Sequence, residues 1–511
     1  MNYSTTDNAL GQALLIAVLV VPALGALIVA LLPAGTDRGA RLVATGFAAV
    51  TLVLTALLAL PFRQDFGWVT YGPGPPMIPW IDVDVPWVPA LGIDFHLGVD
   101  AISYPLVVLT GLLTALCCAY TVWKVPGGGR GRTLAALLLV LEVGILGTFL
   151  AFDLVLFFVF FEVVLLPMYA VIAGWGGPDR RRAARKFVLY TLFGSVLLLL
   201  GVFTVVIAAG TGDLTALAGG AGMSRTVQYT AFALFAVAFA VKAPLWPLHT
   251  WLPDAHTEAP TVGSVILAGV LLKMGTYGLI RVGVGVAPLG ASWAAPVLGT
   301  LAVIAIIVGS LVCLRQTELK RLIAYSSVGH MGFVLLGIAT LTVTGLQAAL
   351  IGNVAHGIIT GLLFFLAGAI KDRAHSGDLA ELGGLRETAP RLAGLLGFAA
   401  IASLGLPGLA GFWGEAFAVV ASVQRGGPLW TTLAVLAAVG GALTAAYFLR
   451  LLRRVTHGPA TSAVTGFAAI SRPEWLAWSP LILLALAVGL VPALVLAATS
   501  VPVSALTGAL P

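Results

Sequence analysis

The chain has 511 residues, of which 59% are hydrophobic and only 9% are charged, and its formal net charge is +6. Its mean hydropathy is +1.04. Soluble domains of this size carry far more charge, so the composition excludes a soluble enzyme and indicates a polytopic membrane protein. The small positive charge does not indicate nucleic-acid binding, because its distribution among the loops follows membrane topology. The cysteines lie in apolar runs and have neither metal-ligand nor disulfide spacing: Cys117, Cys118 and Cys313.

Hydropathy predicts an all-α fold with about fourteen transmembrane spans. Each span needs about 20 mainly apolar residues to cross the hydrocarbon core of a bilayer. In chain order, the predicted spans lie near residues 10–32, 42–61, 98–123, 133–151, 154–174, 187–209, 228–252, 261–281, 295–313, 321–340, 344–370, 393–425, 430–452 and 477–498.

The basic residues predict the orientation of these spans. Most of the 27 lysines and arginines fall in alternate loops, including the run GGPDRRRAARK at 176–186. The positive-inside rule makes this side cytoplasmic, so both termini face outward. The longest outward loop, 62–97, contains the turn signal YGPGPP and predicts a short hairpin or cap on the outer surface. The outward side holds only four basic residues, Arg63, Arg225, Arg281 and Arg425.

Several ionisable residues fall inside the predicted spans. A lysine at the centre of a membrane helix costs about 2.5–3.5 kcal/mol on insertion scales, so such residues usually serve an ion or proton path. One buried histidine or glutamate alone is often structural, but a series on successive spans is typical of proton relays. The candidate proton-transfer residues are Glu162, Lys242, Lys273, His330, His356 and Glu415, with Glu142 as a further possibility.

Lys242 and Glu162 form the most specific pair among these candidates. Desolvation disfavours the charged form of a buried lysine, and a nearby carboxylate restores it. If Glu162 lies opposite Lys242, the proton on the lysine depends on the distance between the two groups. The pair is therefore predicted to be a switchable proton site, whereas the structural alternative is a fixed ion pair.

Helix breakers stand beside two of the buried charges. Lys242 is followed by Ala-Pro-Leu-Trp-Pro, and Glu415 is preceded by the glycine- and proline-rich run 405–411. Proline removes a backbone donor, and the freed carbonyls are tolerated only against protein or a hydrated cavity. The breaks fall in spans 7 and 12, which are five apart. Spans 4–8 and 9–13 are therefore predicted to be two inverted five-helix repeats, with ordinary proline kinks as the alternative.

This pattern divides the chain into four parts. Residues 1–130 hold spans 1–3 and the outward loop, and residues 131–285 hold the first repeat. Residues 286–455 hold the second, inverted repeat, and residues 456–511 hold a linker and span 14.

Acidic residues before Pro260, such as Asp254, are predicted to cap span 8. The sequence has no phosphate loop, nucleophilic triad, haem or iron–sulfur spacing, or dinucleotide fingerprint.

Three stretches carry a resemblance to a known family. They are FFVFFEVVLLPMYAVIAGWG (157–176), VKAPLWPLHTWLPDAHTEAPTVGSVILAGVLLKMGTYGLIR (241–281) and LRQTELKRLIAYSSVGHMGFVLLG (314–337). They resemble the antiporter-like membrane subunits of respiratory complex I, a type also found in Mrp-type cation/proton antiporters. The chain is similar to the M branch rather than the longer L branch. The N branch typically has a lysine in span 12, where this chain has Glu415.

The resemblance implies roles for individual residues. It implies that Glu162 pairs with Lys242 and that Lys273 is the central relay lysine. His330 and His356 match the central hydrophilic axis, and Glu415 matches the acidic terminal site. The implied fold has fourteen helices with two inverted five-helix repeats. Glu142 belongs to no motif that this resemblance covers.

The resemblance also implies a function. It predicts a proton-translocating subunit of a bacterial NADH:quinone oxidoreductase, located in the plasma membrane beside L- and N-type subunits and lipids. This chain is expected to bind no cofactor, with NADH, FMN, iron–sulfur clusters and quinone in other subunits. The alternatives are a subunit of an Mrp-type antiporter or of a membrane-bound hydrogenase. A third alternative is a purely structural membrane subunit whose charges hold helices together.

Overall fold

The computed structural model describes residues 9–33, 35–59, 77–508 and 510. Within these residues, twelve helices are long and apolar enough to cross a membrane. They are spans 1–6, 8–11, 13 and 14, with bounds Ala9–Leu31, Asp37–Leu57, Tyr104–Trp123, Gly131–Leu150, Leu154–Trp175, Arg180–Ala209, Thr261–Val284, Pro288–Arg315, Leu319–Ala339, Val343–Ala374, Gly427–Thr456 and Arg472–Leu490.

The two remaining spans are broken, as the helix breakers predicted. Span 7 consists of span 7a, Arg225–Lys242, and span 7b, Trp251–Glu258. Span 12 consists of span 12a, Pro390–Ser403, and span 12b, Ala410–Arg425. Counting each broken span once gives fourteen spans, so the predicted all-α polytopic fold with discontinuous spans 7 and 12 is confirmed.

The end of the chain differs from the prediction. Span 14 was expected near 477–498, but its helix ends at Leu490 and a separate helix runs from Ala493 to Gly508. Pro492 lies between the two helices, and a proline cannot donate the backbone hydrogen bond that would continue span 14. The shorter helical pieces of the chain are Pro89–Leu91, Pro126–Gly128, Ala218–Gly220 and Leu385–Thr388.

The two repeats share the same helix cap and β-bridge at equivalent positions. Span 5 begins at Asp153, whose carboxylate accepts hydrogen bonds from two backbone amides of its first turn. Span 10 begins at Glu318, whose carboxylate accepts from the backbone amide of Arg321. Asp153 forms an isolated β-bridge with Asp213 after span 6, and Glu318 forms one with Asp378 after span 11. The same capping and bridging recur five spans apart, which agrees with the repeat architecture.

Spans 8 and 11 form the centre of the helix bundle. The apolar stretch that qualifies each as a membrane span is completely buried within the protein. They approach closely at Gly269 and Gly357, where a Cβ on Gly357 would lie 2.7 Å from the carbonyl oxygen of Gly269. Span 8 also contains two π-helical segments, Leu267–Leu271 and Leu279–Val284. π-Helical segments inside α-helices frequently occur at functional sites, and these two flank Lys273.

An antiparallel hairpin covers one end of the first repeat. Strands β1 (Ile81–Val88) and β2 (Ile93–Val99) pair with Ile81 opposite Val99, so the predicted hairpin is confirmed. The remainder of the predicted outward loop, residues 62–76, lies outside the described residues. The amide of Phe152 donates to the carbonyl of His96 at 2.8 Å, which fastens β2 to the start of span 5.

The burial of one basic residue was not predicted from the sequence. Arg281 was assigned to the outward side, at the predicted end of span 8; it is only 1% exposed and lies within span 8, beneath the hairpin. It is buried because span 8 continues through its second π-helical segment to Val284, past the predicted end at residue 281.

Candidate functional site

The two membrane lysines are held inside the bundle. Lys242 is 2% exposed and Lys273 is fully buried, so neither side chain extends to a surface. Lys242 is the last residue of span 7a, where the prolines end the helix. Lys273 occupies the α-helical turn between the two π-helical segments of span 8. Irregular backbone therefore positions both amines: the break of span 7 positions Lys242, and the π-helical segments of span 8 position Lys273.

A continuous string of ionisable side chains runs from Lys273 into the second repeat. The Nζ of Lys273 lies 2.6 Å from Nδ1 of His356 on span 11. The ring of His356 packs against the ring of His330 on span 10, with centroids 5.8 Å apart. Nδ1 of His330 then lies 2.8 Å from Oε1 of Glu415, which is on span 12b. Four predicted site residues from four different spans are thus brought together.

A small cavity lies along this string. It has a volume of about 30 Å³ and is lined by His330, His356, Ser403 and Glu415, among others. A cavity of this size has room for a water molecule beside these polar groups. The hydroxyl of Ser403, at the end of span 12a, lies 3.0 Å from Nε2 of His330. Both ring nitrogens of His330 therefore have polar partners, one on each side of the break in span 12.

The predicted Glu162–Lys242 pair is adjacent but not in direct contact. Nζ of Lys242 lies 4.6 Å from the centre of the Phe161 ring, and it has no hydrogen-bond partner among the described residues. The carboxylate of Glu162 accepts a hydrogen bond from the hydroxyl of Ser195 on span 6. The structure thus describes the arrangement in which the carboxylate is held by the serine and not by the lysine.

The two lysines are connected by close packing of spans 7a and 8. A Cβ on Gly275 would lie 2.7 Å from the backbone nitrogen of Ala243 and 3.0 Å from Cβ of Lys242. The glycine therefore lets span 8 lie directly against the break that carries Lys242. One turn from Lys273, the hydroxyl of Thr276 donates to Oδ1 of Asn353 at 2.9 Å.

Sequence reasoning missed the uncharged members of this site. Ser195, Ser403, Thr276 and Asn353 are hydroxyl or amide residues within apolar helices. Such residues are common in membrane spans, where serine and threonine hydroxyls also bond to their own backbone, so their presence alone gives no signal. The break after Ser403 was the one feature that could have marked it.

Glu142 stays apart from the string. It is fully buried in span 4, and neither carboxylate oxygen has a hydrogen-bond partner among the described residues. Among the described residues it forms no hydrogen bond or ion pair with another candidate.

A second polar region lies at the basic end of the bundle. Asp254, predicted to cap span 8, instead belongs to span 7b and forms ion pairs with Lys186 at 2.7 Å and Arg321 at 3.3 Å. The capping interpretation was wrong because the break gives these residues a helix of their own. A cavity of about 300 Å³ is lined by Asp254 and Arg321, and another of about 200 Å³ includes Glu258 and Lys320 in its lining. In the part of the chain that the structure describes, no three His, Cys, Asp or Glu residues are grouped to hold a metal ion.

An acidic cluster surrounds one histidine at the hairpin end. Nδ1 of His96 lies 3.1 Å from Asp213, and its Nε2 lies 3.7 Å from Asp82, an ion-pair distance rather than a hydrogen bond. Burial by itself disfavours the imidazolium, but the neighbouring aspartates outweigh it and raise the pKa of His96 from 6.5 to about 9. The same contact lowers the pKa of Asp213 against the opposing effect of burial. This pair is charged at neutral pH.

Comparison with known proteins gives a consistent family assignment. The model of the NADH:quinone oxidoreductase/Mrp antiporter transmembrane family matches residues 151–443. The NADH-quinone oxidoreductase subunit M of Rhodobacter capsulatus is 38% identical over 95% of this chain and 94% of that protein.

Solved structures share the whole fold. A chain of respiratory complex I from Thermus thermophilus with bound NADH is 29% identical, with a TM-score of 0.85, and the match covers 98% of this chain and all of that one. A chain of the Mrp complex from Dietzia is 24% identical with a TM-score of 0.82, over 98% of each chain, which shows a shared fold. The family expected from the sequence motifs is confirmed.

Proposed function

Because this chain belongs to the NADH:quinone oxidoreductase/Mrp antiporter family of membrane subunits, we propose that it is a proton-translocating subunit of a NADH:quinone oxidoreductase. It moves protons through its buried axis and has no redox centre. NADH, FMN, iron–sulfur clusters and quinone are bound by other subunits. The likeness to subunit M over nearly the full length of both chains supports the M-type position in the complex.

One observation carries this proposal: the string Lys273–His356–His330–Glu415 crosses the bundle between the two repeats. Adjacent groups lie at hydrogen-bond or ring-contact distance, and a water-sized cavity lies beside the two histidines. Histidine accepts a proton at one ring nitrogen and releases it from the other, so it acts as a shuttle. Charged and ionisable groups inside a membrane bundle are energetically costly, so a connected series of them is explained by a role as a proton relay.

The Glu162–Lys242 pair supplies the switch in this proposal. A buried ammonium group depends on a nearby negative charge, so moving Glu162 relative to Lys242 changes whether the lysine keeps its proton. Ser195 offers the carboxylate a second position. Redox chemistry elsewhere in the complex moves the carboxylate between the two partners. The proton released from Lys242 then passes to Lys273 and along the histidines to Glu415.

The location and the neighbouring subunits of this protein are inferred from the same family assignment. The subunit lies in the bacterial plasma membrane, with its basic loops toward the cytoplasm and both termini outside. Its neighbours in the membrane arm are the L- and N-type subunits, together with lipids. A second candidate function is that of an Mrp-type cation/proton antiporter subunit, which the shared fold with the Dietzia Mrp complex supports. Membership of a membrane-bound hydrogenase is a further alternative, and all three functions use the same axis.

Substitution of Lys242 tests the proposal. In the complete complex reconstituted in liposomes, Lys242→Ala is expected to reduce NADH-driven proton pumping strongly while the complex still assembles. Glu162→Ala is expected to act in the same direction. Lys242→Arg keeps the positive charge but cannot release a proton, so it is also expected to lose pumping. Pumping by the Lys242→Ala complex at the wild-type rate would show that this site does not carry the proton. The structural alternative would be favoured if conservative substitutions left proton uptake unchanged and if substitutions at this site instead caused loss of assembly.

A further inference from the structure

Polar groups continue along span 8 from Lys273 toward the hairpin end. Tyr277 and Arg281 follow Lys273 at intervals of four residues, a spacing that places side chains on one face of a helix. The hydroxyl of Tyr277 donates to the carbonyl of Phe149 at 2.9 Å, and Nε of Arg281 donates to that hydroxyl at 3.2 Å. Tyr277 and Arg281 thus form a separate set of polar groups on the hairpin side of Lys273, whose own Nζ is hydrogen-bonded to the carbonyl of Ala268 and to His356.

Arg281 closes this set of groups. Its Nη2 lies 2.5 Å from Oδ2 of Asp100, the residue that directly follows β2. Oδ1 of Asp100 accepts from the backbone amides of Ile102 and Ser103, so the carboxylate is fixed by the chain that leads into span 3. The guanidinium is fully enclosed by these groups and lies against two aromatic rings.

The aromatic rings hold the cation in place. The guanidinium carbon of Arg281 lies 4.9 Å from the centre of the Phe152 ring and 5.5 Å from that of Tyr277. Phe152 is also the residue whose amide binds β2, so the hairpin, span 5 and span 8 meet at this cation. Nη1 has no hydrogen-bond partner among the described residues. An arginine keeps its charge under all physiological conditions, unlike the lysines and histidines of the axis.

We propose that Arg281 is a fixed positive barrier that closes the hairpin end of the first repeat to protons. A stationary buried cation repels a mobile proton, as arginines and helix dipoles do in selective channels. Stability alone does not explain a buried pair, since apolar residues of similar volume often stabilise a fold equally well. The barrier directs a proton on Lys273 sideways to His356. This inference rests on the proposed relay, because it assumes that Lys273 carries a transported proton.

The test is the passive proton permeability of the complete complex in liposomes, measured under an imposed pH gradient without NADH. Arg281→Met removes the fixed charge and is expected to raise the proton leak several-fold. Asp100→Asn is the matched control, because it breaks the same ion pair while the cation remains. The barrier predicts a tight membrane for Asp100→Asn and Arg281→Lys. Addition of Tyr277→Phe to the leaky variant is expected to reduce the leak again.

Three results would overturn the inference. One is an assembled Arg281→Met complex that is as tight as wild type, and another is an Asp100→Asn complex that leaks as much as Arg281→Met. If Arg281→Met does not assemble, the double variant Asp100→Asn/Arg281→Met is measured instead, because it leaves no buried charge unpaired. The third overturning result is a double variant that is as tight to protons as wild type. The leak is measured without turnover, so it is separate from the relay: normal pumping in Lys242→Ala would remove the relay but not a leak in Arg281→Met.

Discussion

At the residue scale, the account depends on which partner each buried charge has. The charged members of the axis could be predicted because lysine, histidine and glutamate are rare and costly in membrane helices. Their uncharged partners could not. Ser195 takes the carboxylate of Glu162 in this structure, and no feature of its sequence context distinguishes it from a packing residue. The burial of Arg281 was not predicted, because a residue near a predicted span end gives no sign of the hairpin that covers it.

Ser195 provides a residue-scale prediction. Ser195→Ala removes the hydroxyl that competes with Lys242 for Glu162, so the carboxylate loses its second position. NADH-driven pumping is expected to fall, but less than in Lys242→Ala, while assembly is unchanged. Ser195→Thr keeps the hydroxyl and serves as the control. The competing role of the hydroxyl is contradicted if the alanine and threonine variants pump at the same rate.

At the element scale, the broken helices place the site. Proline and glycine runs beside Lys242 and Glu415 made both breaks predictable, and their spacing of five spans predicted the inverted repeats. The π-helical segments of span 8 were not predictable, because the apolar sequence around them reads as a regular helix. The break also explains why Asp254 pairs with Lys186 and Arg321 instead of capping span 8.

The contact between spans 7a and 8 gives an element-scale prediction. Gly275→Ala places a methyl group 2.7 Å from the backbone nitrogen of Ala243, so one of the two spans must shift. Overpacking of this kind typically costs about 1–3 kcal/mol. We expect lower thermal stability and reduced pumping, because Lys242 moves relative to Lys273.

Gly397→Ala is the matched control for this substitution. A Cβ on Gly397, within span 12a, meets no atom within 4 Å, and alanine has a higher helix propensity than glycine. The control is expected to be as stable as wild type or slightly more stable. Equal stability and pumping for the Gly275 and Gly397 variants would show that the close contact between spans 7a and 8 affects neither stability nor proton pumping.

At the scale of the whole molecule, the hairpin closes one end and the axis crosses the centre. The pH dependence of the hairpin follows from His96. Its pKa is raised from 6.5 to about 9 by Asp213 and Asp82, against the effect of burial. The charged histidine therefore stabilises the hairpin fully below about pH 6.5, and this contribution is lost as the pH rises through about 9.

Hydrogen–deuterium exchange of residues 81–99 tests this dependence. Protection is expected to decrease between pH 8 and 10 relative to the rest of the bundle at the same pH. His96→Gln carries no charge and is expected to show low protection without this loss. A wild-type hairpin whose relative protection is constant through pH 9 would mean that the His96–Asp213 pair does not hold it.

The most direct measurement of the central claim is the number of protons pumped per NADH oxidised when the string between the two repeats is cut. His356→Leu removes the only side chain that joins Lys273 to His330 among the described contacts. The relay predicts continued NADH oxidation with fewer protons per NADH than wild type. His375→Asn, which changes a histidine outside the string, is expected to leave the ratio unchanged. An unchanged ratio in an assembled His356→Leu complex would contradict the account.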